Sequence, residues 1–227
     1  MKRFSFAMIA MALMVAVSAT DAFAQGRGRG NQPQQPMSFF VTSVGSGSGA
    51  NLGGLEGADG HCEALARAAG VTDGIWRAYL STTAGGGQAA VNARDRIGDG
   101  PWHNASGQMI AGSVADLHGD VHRDRNQINK RYALNEKGEQ VNGQGDSPNQ
   151  HDILTGSDSH GRALLGRAST TTCNNWTSND AGTAMIGHSD RSGGGNSSWN
   201  AAHPTRSCSQ EGLVGTGGAG LFYCFKS

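Results

Sequence analysis

The sequence carries no excess charge of either sign and, after its amino-terminal segment, no long apolar run. Lysine and arginine number 18, and so do aspartate and glutamate. A balanced chain of this kind lacks the basic surface that nucleic-acid-binding proteins use, so no nucleic-acid partner is expected. No later segment approaches the roughly 20 apolar residues that a membrane-spanning helix requires, and the sequence therefore predicts no such helix.

Recognisable catalytic motifs are also missing. Neither a G-x-S-x-G nucleophile elbow nor an H-E-x-x-H metal-binding pair occurs in the chain. Aromatic residues make up only 6% of the composition, whereas glycines number 36, which favours turns and long loops over a helical bundle. The glycines follow no Gly-x-y period, which excludes a collagen helix. We therefore expect a loop-rich protein that is not an enzyme and has no cofactor, apart from the calcium ion considered below.

The amino-terminal segment has the features of an export signal. Lys2 and Arg3 precede an apolar run over residues 6–17, and Ala22-Phe23-Ala24 places small residues around a cleavable bond. This pattern predicts a signal peptide over residues 1–24 and a secreted or periplasmic protein. Residues 25–37, QGRGRGNQPQQPM, predict a flexible tail. The remaining residues, 38–227, suit one domain.

Four cysteines, Cys62, Cys173, Cys208 and Cys224, lie in the predicted mature region. In an oxidising compartment, four cysteines typically form two disulfides, and three pairings are possible. A four-cysteine zinc site is the alternative, but none of the spacings is the close C-x2–4-C pair typical of such sites.

Local patterns predict a few short elements. Residues 38–42 predict a strand, and residues 59–69 predict a helix that Asp59 caps and Gly70 ends. In this helix Cys62, Leu65, Ala66 and Ala69 would form the apolar face. Residues 75–80 alternate with a period of two, which places Trp76, Ala78 and Leu80 on one face of a core strand. Residues 88–96 predict a weaker, solvated helix, and residues 221–225 a buried strand.

Several motifs in order resemble those of endostatin-like domains, over about residues 38–227. They are GADGHCEALARAAG (57–70), WRAYLST (76–82), GPWHN (100–104), GSDSHG (156–161), TCNNWTS (172–178), RSC (206–208) and FYCF (222–225). The resemblance implies an α+β, C-type-lectin-like fold, with a twisted and mostly antiparallel sheet, one or two helices, long loops and two disulfides. It also implies nested pairing, Cys62 with Cys224 and Cys173 with Cys208.

Two properties of that family do not carry over to this sequence. Endostatins bind zinc through histidines at the start of the domain, where this chain has Ser38-Phe39-Phe40 and no histidine before His61. Their heparin site is rich in arginine, whereas basic residues over 94–131 alternate here with aspartates. Neither the zinc site nor a strong polyanion site is therefore expected.

Residues 173–203 have the composition of a carbohydrate-binding surface, rich in amides, carboxylates and tryptophan. The candidate ligand-binding residues are Asn175, Trp176, Asn179, Asp180, His188, Asp190, Trp199 and Asn200. We therefore expect a lectin-like protein that binds a glycan or a matrix component. Asp158 and Asp180 are candidate calcium ligands, although Asp158 also suits a turn. As an alternative to a sugar platform, Trp176 and Trp199 would cover the Cys173–Cys208 disulfide from either side.

The histidines admit a second function class. His118, His122, His151, His160, His188 and His203 all lie in polar, loop-like sequence, which favours solvated side chains. A metal-dependent hydrolase using His118, His122 or His188 with nearby aspartates is the alternative to a binding protein. A structural envelope protein without a small ligand is a third possibility.

Overall fold

A nine-residue strand close to the carboxyl end lies at the centre of the main sheet. The computed structural model describes Met1 and residues 34–119 and 124–227. The strands are β1 (Phe39–Val41), β2 (Trp76–Ala78), β3 (Trp102–His103), β4 (Met109–Ala111), β5 (Asp152–Leu154), β6 (Met185–His188), β7 (His203–Pro204) and β8 (Gly218–Lys226). The helices are α1 (Gly54–Ala68), α2 (Val114–His118), α3 (Ala168–Thr171), α4 (Cys173–Trp176) and α5 (Gln210–Val214), with a 3-10 turn at Ala93–Asp95.

Some predictions concern residues that the structure does not describe. The predicted leader beyond Met1, residues 25–33 of the predicted tail, and His122 lie outside the described residues. Within the described part of the chain, no helix is long and apolar enough to span a bilayer.

The main sheet has the order β1-β8-β5-β6-β7, and β2 also pairs with β8. All of its pairings are antiparallel except that of β5 with β8. Strands β3 and β4 form a separate antiparallel pair. The fold is thus mixed α and β, with a mostly antiparallel sheet and few, mostly short helices, as the sequence predicts at that level.

Strand β8 is buried on both of its faces. Phe222 and Cys224 pack in a first hydrophobic core, whereas Leu221, Tyr223 and Phe225 pack in a second. Alternation of side chains along a strand produces this division. The period of two predicted for residues 75–80 is confirmed, because Trp76, Ala78 and Leu80 all lie in the first core.

Helix α1 covers the first core but begins five residues before the predicted start. Its buried residues are Ala58, Cys62 and Ala66, and Gly70 follows its end with a φ of 86°. The prediction that Asp59 caps the helix is wrong. The Asp59 carboxylate instead accepts hydrogen bonds from the Ala78 backbone N–H and from two arginines, so it joins the helix to β2.

The helix predicted over residues 88–96 is also wrong. Thr82 bridges Val91 and Gly85 bridges Gln88, both antiparallel, so the segment turns back on itself as a hairpin. Only the 3-10 turn Ala93–Asp95 remains helical. Glycines 85–87 lie at the tip of this hairpin, where two of them have positive φ.

Two disulfides join distant parts of the domain. Cys62 of α1 is bonded to Cys224 of β8, and Cys173 is bonded to Cys208. All four cysteines are fully buried. The pairing is the nested one that the resemblance to endostatin-like domains implies.

Helix α4 is a left-handed turn. Cys173, Asn174, Asn175 and Trp176 have φ values of 47°, 56°, 53° and 68°. Each non-glycine residue in this conformation costs roughly 1–2 kcal/mol, and asparagine tolerates it best. Tertiary contacts hold the turn in place, since the Trp176 indole N–H donates to the Ser81 carbonyl at 2.8 Å and Cys173 is in a disulfide.

The cost of this conformation is testable at Asn174, whose side chain is exposed. We expect Asn174→Val to lower the free energy of unfolding by about 1–2 kcal/mol, because a β-branched residue resists positive φ. Asn174→Gly should be neutral or stabilising by up to about 1 kcal/mol. Urea denaturation of both variants measures the difference. Equal stabilities would contradict the presence of a left-handed turn.

Candidate metal centre

Three strand ends bring histidine and aspartate side chains together at one end of the sheet. Asp152 begins β5 and pairs directly with His188, which ends β6. His203 of β7 pairs with Ile186, two residues before His188. Because side chains two apart on a strand share a face, His203 lies on the same face as His188. His151 precedes β5 and completes the group, which we call the His/Asp cluster.

The ring nitrogens of the three histidines converge on one carboxylate oxygen, Asp152 Oδ1. This oxygen lies 3.3 Å from His151 Nε2, 3.5 Å from His188 Nε2 and 3.8 Å from His203 Nε2. The Nε2 atoms of His188 and His203 are 3.1 Å apart. Ligand atoms at about 2.0–2.1 Å from a tetrahedral Zn²⁺ lie about 3.3–3.4 Å from one another. The distances to Asp152 Oδ1 and between His188 and His203 are close to this spacing. The His151 and His188 rings are stacked in parallel with their centroids 4.3 Å apart, so one of them has to turn before both lone pairs reach one ion.

Three of the four side chains are buried. The ligand atoms of His151, Asp152 and His188 all lie within 4.8 Å of one another. Asp152 is 2% exposed, and neither of its oxygens accepts a hydrogen bond from a described residue. Burial raises the pKa of Asp152, and the nearby Thr216 hydroxyl, which donates its hydrogen bond to the Leu213 carbonyl, offsets only part of that rise. A buried carboxylate without donors is costly unless a cation compensates its charge.

Asp190 fixes the orientation of His151. The His151 Nδ1 atom lies 3.0 Å from Asp190 Oδ1, while the backbone N–H groups of Gln144 and Ser192 donate to the same carboxylate. Burial acts to raise the pKa of Asp190, but these hydrogen bonds lower it to about 2. A carboxylate only accepts hydrogen bonds, so His151 Nδ1 carries the proton. Nε2 of a neutral His151 then presents its lone pair to the cluster, as in metal-binding histidines.

Burial also sets the protonation of the other members. Burial and the neighbouring His151 and His203 lower the pKa of His188 to about 4. His188 is therefore neutral at pH 7, the form in which imidazole binds a metal. Burial raises the pKa of the Asp152 carboxyl. For His151, burial acts to lower the pKa, but the hydrogen bond to Asp190 and its charge outweigh burial and raise the pKa.

The two tryptophans predicted as a sugar platform are buried. Trp176 is 0% exposed and lies in the first core with the Cys173–Cys208 disulfide. Trp199 is 1% exposed and packs in the second core, against Tyr79 and Tyr223. Neither ring offers an exposed face to a ligand. The alternative placement over the disulfide suits Trp176 but is wrong for Trp199.

The predicted polar ligand-binding residues are dispersed and engaged in internal contacts. Asn175 exchanges two hydrogen bonds with the backbone of Thr83, and Asn200, which is 1% exposed, donates to the Tyr79 hydroxyl. Asn179 and Asp180 are exposed. Asp158 accepts from the backbone N–H groups of residues 160 and 162, so it stabilises a turn. Of this predicted set, only His188 and Asp190 belong to the His/Asp cluster or contact it.

The expectation of solvated loop histidines is wrong for three of them. His118, His151 and His188 are 4%, 5% and 3% exposed. His118 ends α2, where its Nε2 atom lies 2.8 Å from the Tyr79 hydroxyl in the second core. His118 therefore lies in the second core and not in the His/Asp cluster, and His122 lies outside the described residues.

Sequence reasoning missed Asp152 altogether. The available signal was the position of polar residues at the ends of short apolar runs, HDIL over 151–154 and MIGH over 185–188. Both runs are strands in the structure. Histidine or aspartate at the end of a buried strand indicates a side chain beside the adjoining loop, where functional residues are common.

Comparisons with known proteins do not assign a family. No protein-family model matches the sequence, and a search of curated proteins finds no significant match. The resemblance to endostatin-like domains therefore stays a prediction, and the function of the cluster has to follow from its geometry.

Proposed function

We propose that this protein binds a divalent transition metal through His151, Asp152 and His188, with Zn²⁺ as the ion that fits best. The observation that supports this most directly is the buried Asp152 carboxylate, which has no hydrogen-bond donor among the described residues and faces imidazole nitrogens at 3.3 and 3.5 Å. A bound dication compensates the buried charge and accepts the lone pairs of the histidines. The Asp190–His151 contact supplies the carboxylate–histidine pair common behind zinc ligands.

The ligand types favour zinc over the calcium considered from sequence. Imidazole and carboxylate together suit Zn²⁺, whereas Ca²⁺ takes six to eight oxygen ligands. The cluster offers a single carboxylate beside its histidines. The candidate calcium ligands Asp158 and Asp180 do not belong to this cluster, and Asp158 is occupied with its own turn.

We further propose a binding rather than a catalytic role, in an oxidising compartment outside the cytoplasm. All four cysteines are paired, so none is a free nucleophile. Disulfides of this kind are typical of exported proteins. Recognition of a glycan or matrix component has less support, because both candidate tryptophans are buried and only Asn179 and Asp180 are well exposed. A C-type-lectin-like, endostatin-like scaffold remains part of this proposal.

Metal titration of the oxidised protein tests the proposal. After treatment with a chelator and its removal, we expect the protein to bind one Zn²⁺ per chain in isothermal titration calorimetry. Asp190→Asn should weaken binding by about 10–100-fold, because it disturbs the orientation of a ligand without removing one. His188→Ala should weaken binding by more than Asp190→Asn does, because it removes a ligand.

A matched control separates the site from ordinary histidine binding. His160 is exposed and lies outside the cluster, so His160→Ala should bind Zn²⁺ as the wild type does. The proposal is wrong if the wild-type protein binds no stoichiometric Zn²⁺, or if His188→Ala and His160→Ala bind it equally well.

A further inference from the structure

His203 differs from the other members of the His/Asp cluster in its exposure. Its side chain is 40% exposed, whereas those of His151, Asp152 and His188 are 6%, 2% and 4% exposed. It lies on β7, a two-residue strand at the edge of the sheet, which among the described strands pairs with β6 alone. His203 therefore covers the side of the cluster that faces solvent.

The ring of His203 is oriented toward the cluster. Its Nδ1 atom lies 3.0 Å from the Pro204 carbonyl oxygen, which only accepts hydrogen bonds. Nδ1 therefore carries a proton, and Nε2 of the neutral ring directs its lone pair toward His188 Nε2 at 3.1 Å. Without a metal this short contact is a hydrogen bond from His188. The donor atoms that lie within 4.8 Å of one another belong to His151, Asp152 and His188, so the His203 ring has to move toward His151 for all four to bind one ion.

We propose that His203 is the fourth protein ligand, so that the metal is four-coordinate, shielded from substrate, and holds β7 to the sheet. This inference rests on the proposed metal-binding function. Zinc sites with four protein ligands are structural, whereas catalytic sites keep one position for water. With His203 bound, three buried ligands and one surface ligand fill the coordination shell. The assignment thus favours a binding protein over a metal-dependent hydrolase.

Strand β7 is held by hydrogen bonds to β6 and to Ala184. It follows a segment, 189–202, that contains three consecutive glycines at 193–195, and it forms two residue pairs with β6. On either side of it, the backbone N–H groups of Ala202 and Thr205 donate to β6 and to Ala184. A metal bonded to residues of β5, β6 and β7 adds a direct link across the three strands. We therefore expect metal to slow local opening of β7.

Cobalt substitution with chemical rescue tests the assignment. The wild-type protein with Co²⁺ should show the intense visible absorption of four-coordinate cobalt, unaltered by added azide. In His203→Gly water should take the vacant ligand position, so the spectrum should shift and should change again when azide is added. Free imidazole should restore the original spectrum by occupying that position. His203→Gln, which keeps a side chain of similar length, provides a second variant if the glycine variant is unstable.

Hydrogen exchange separates coordination from the clamping of β7. Metal should slow exchange of the Ala202 and Thr205 amides in the wild type by about tenfold or more. In His203→Gly, imidazole should restore the spectrum but not the slow exchange, because free imidazole is not attached to β7. Unchanged exchange on metal addition to the wild type contradicts the clamp.

Different results contradict the proposed metal binding and the proposed role of His203. A wild-type protein that binds neither Zn²⁺ nor Co²⁺ contradicts the proposed function itself. Two other results contradict only the role of His203. In one, the wild-type protein binds Co²⁺ through His188 but its spectrum responds to azide. In the other, the spectrum is the same in the wild type and in both His203 variants.

Discussion

Reduction of both disulfides is expected to unfold the domain. The Cys62–Cys224 bridge closes a separation of 162 residues and the Cys173–Cys208 bridge one of 35. In the chain-entropy description these bridges contribute about 5 and about 4 kcal/mol. Together they are comparable to the entire free energy of unfolding of a typical domain, about 5–15 kcal/mol. Circular dichroism with and without a phosphine reductant measures the loss of structure.

Paired cysteine variants resolve the two contributions. Replacing Cys62 and Cys224 together by serine should cost about 1 kcal/mol more than replacing Cys173 and Cys208 together, because the first bridge closes the longer loop. Serine in these buried positions adds a similar penalty to both variants, so the comparison is matched. A reduced protein with an unchanged melting temperature would be incompatible with this account, as would free thiols in the native protein.

Zinc is expected to raise the melting temperature of the oxidised protein. A ligand that binds only the folded state at about 1,000 times its Kd stabilises that state by about 4 kcal/mol. Each kcal/mol shifts the melting temperature of a domain of 150–250 residues by about 2–4 °C, which gives a rise of about 8–16 °C. Differential scanning calorimetry across a Zn²⁺ series measures this shift.

Two controls accompany that measurement. His188→Ala should show little or no shift, and Ca²⁺ should have little effect on the wild type because the cluster lacks enough oxygen ligands. An equal shift in His188→Ala would mean that Zn²⁺ stabilises the protein somewhere other than the His/Asp cluster.

The sequence predicts the elements whose patterns are local. The apolar alternation of residues 75–80 and the β-branched and aromatic runs at 38–42 and 221–225 correspond to β2, β1 and β8. The predicted apolar stripe of α1 is confirmed for Cys62 and Ala66, whereas Leu65 is half-buried and Ala69 is exposed just past the end of the helix. In each case burial of one face is sufficient to produce a visible period.

Elements that depend on tertiary contacts were beyond local patterns. Asp59 has the chemistry of a helix cap, but its carboxylate is used by β2 and by Arg96, far along the chain. The segment 88–96 has helix-forming residues, yet its backbone hydrogen bonds run across a hairpin to residues 82–85. In both cases, contacts with residues far along the chain outweighed the local preference for a helix cap or a helix.

The His/Asp cluster was hidden from sequence for a similar reason. Its members are separated by 36 residues between Asp152 and His188, and by 15 between His188 and His203, spacings unlike the close ligand pairs of H-E-x-x-H and C-x2–4-C motifs. Only the pairing of β5 with β6, and of β6 with β7, aligns them. The two tryptophans show the opposite error. The amide-rich sequence around Trp176 and Trp199 predicted an exposed binding surface, but both rings are buried.

The central position of β8 dictates when this protein is able to fold. Three strands from early and middle parts of the chain, β1, β2 and β5, all take hydrogen bonds from β8. Until residues 218–226 have been synthesised, those strands have no common neighbour, and Cys62 lacks its partner Cys224. The main sheet is therefore expected to form only after residues 218–226 have been synthesised.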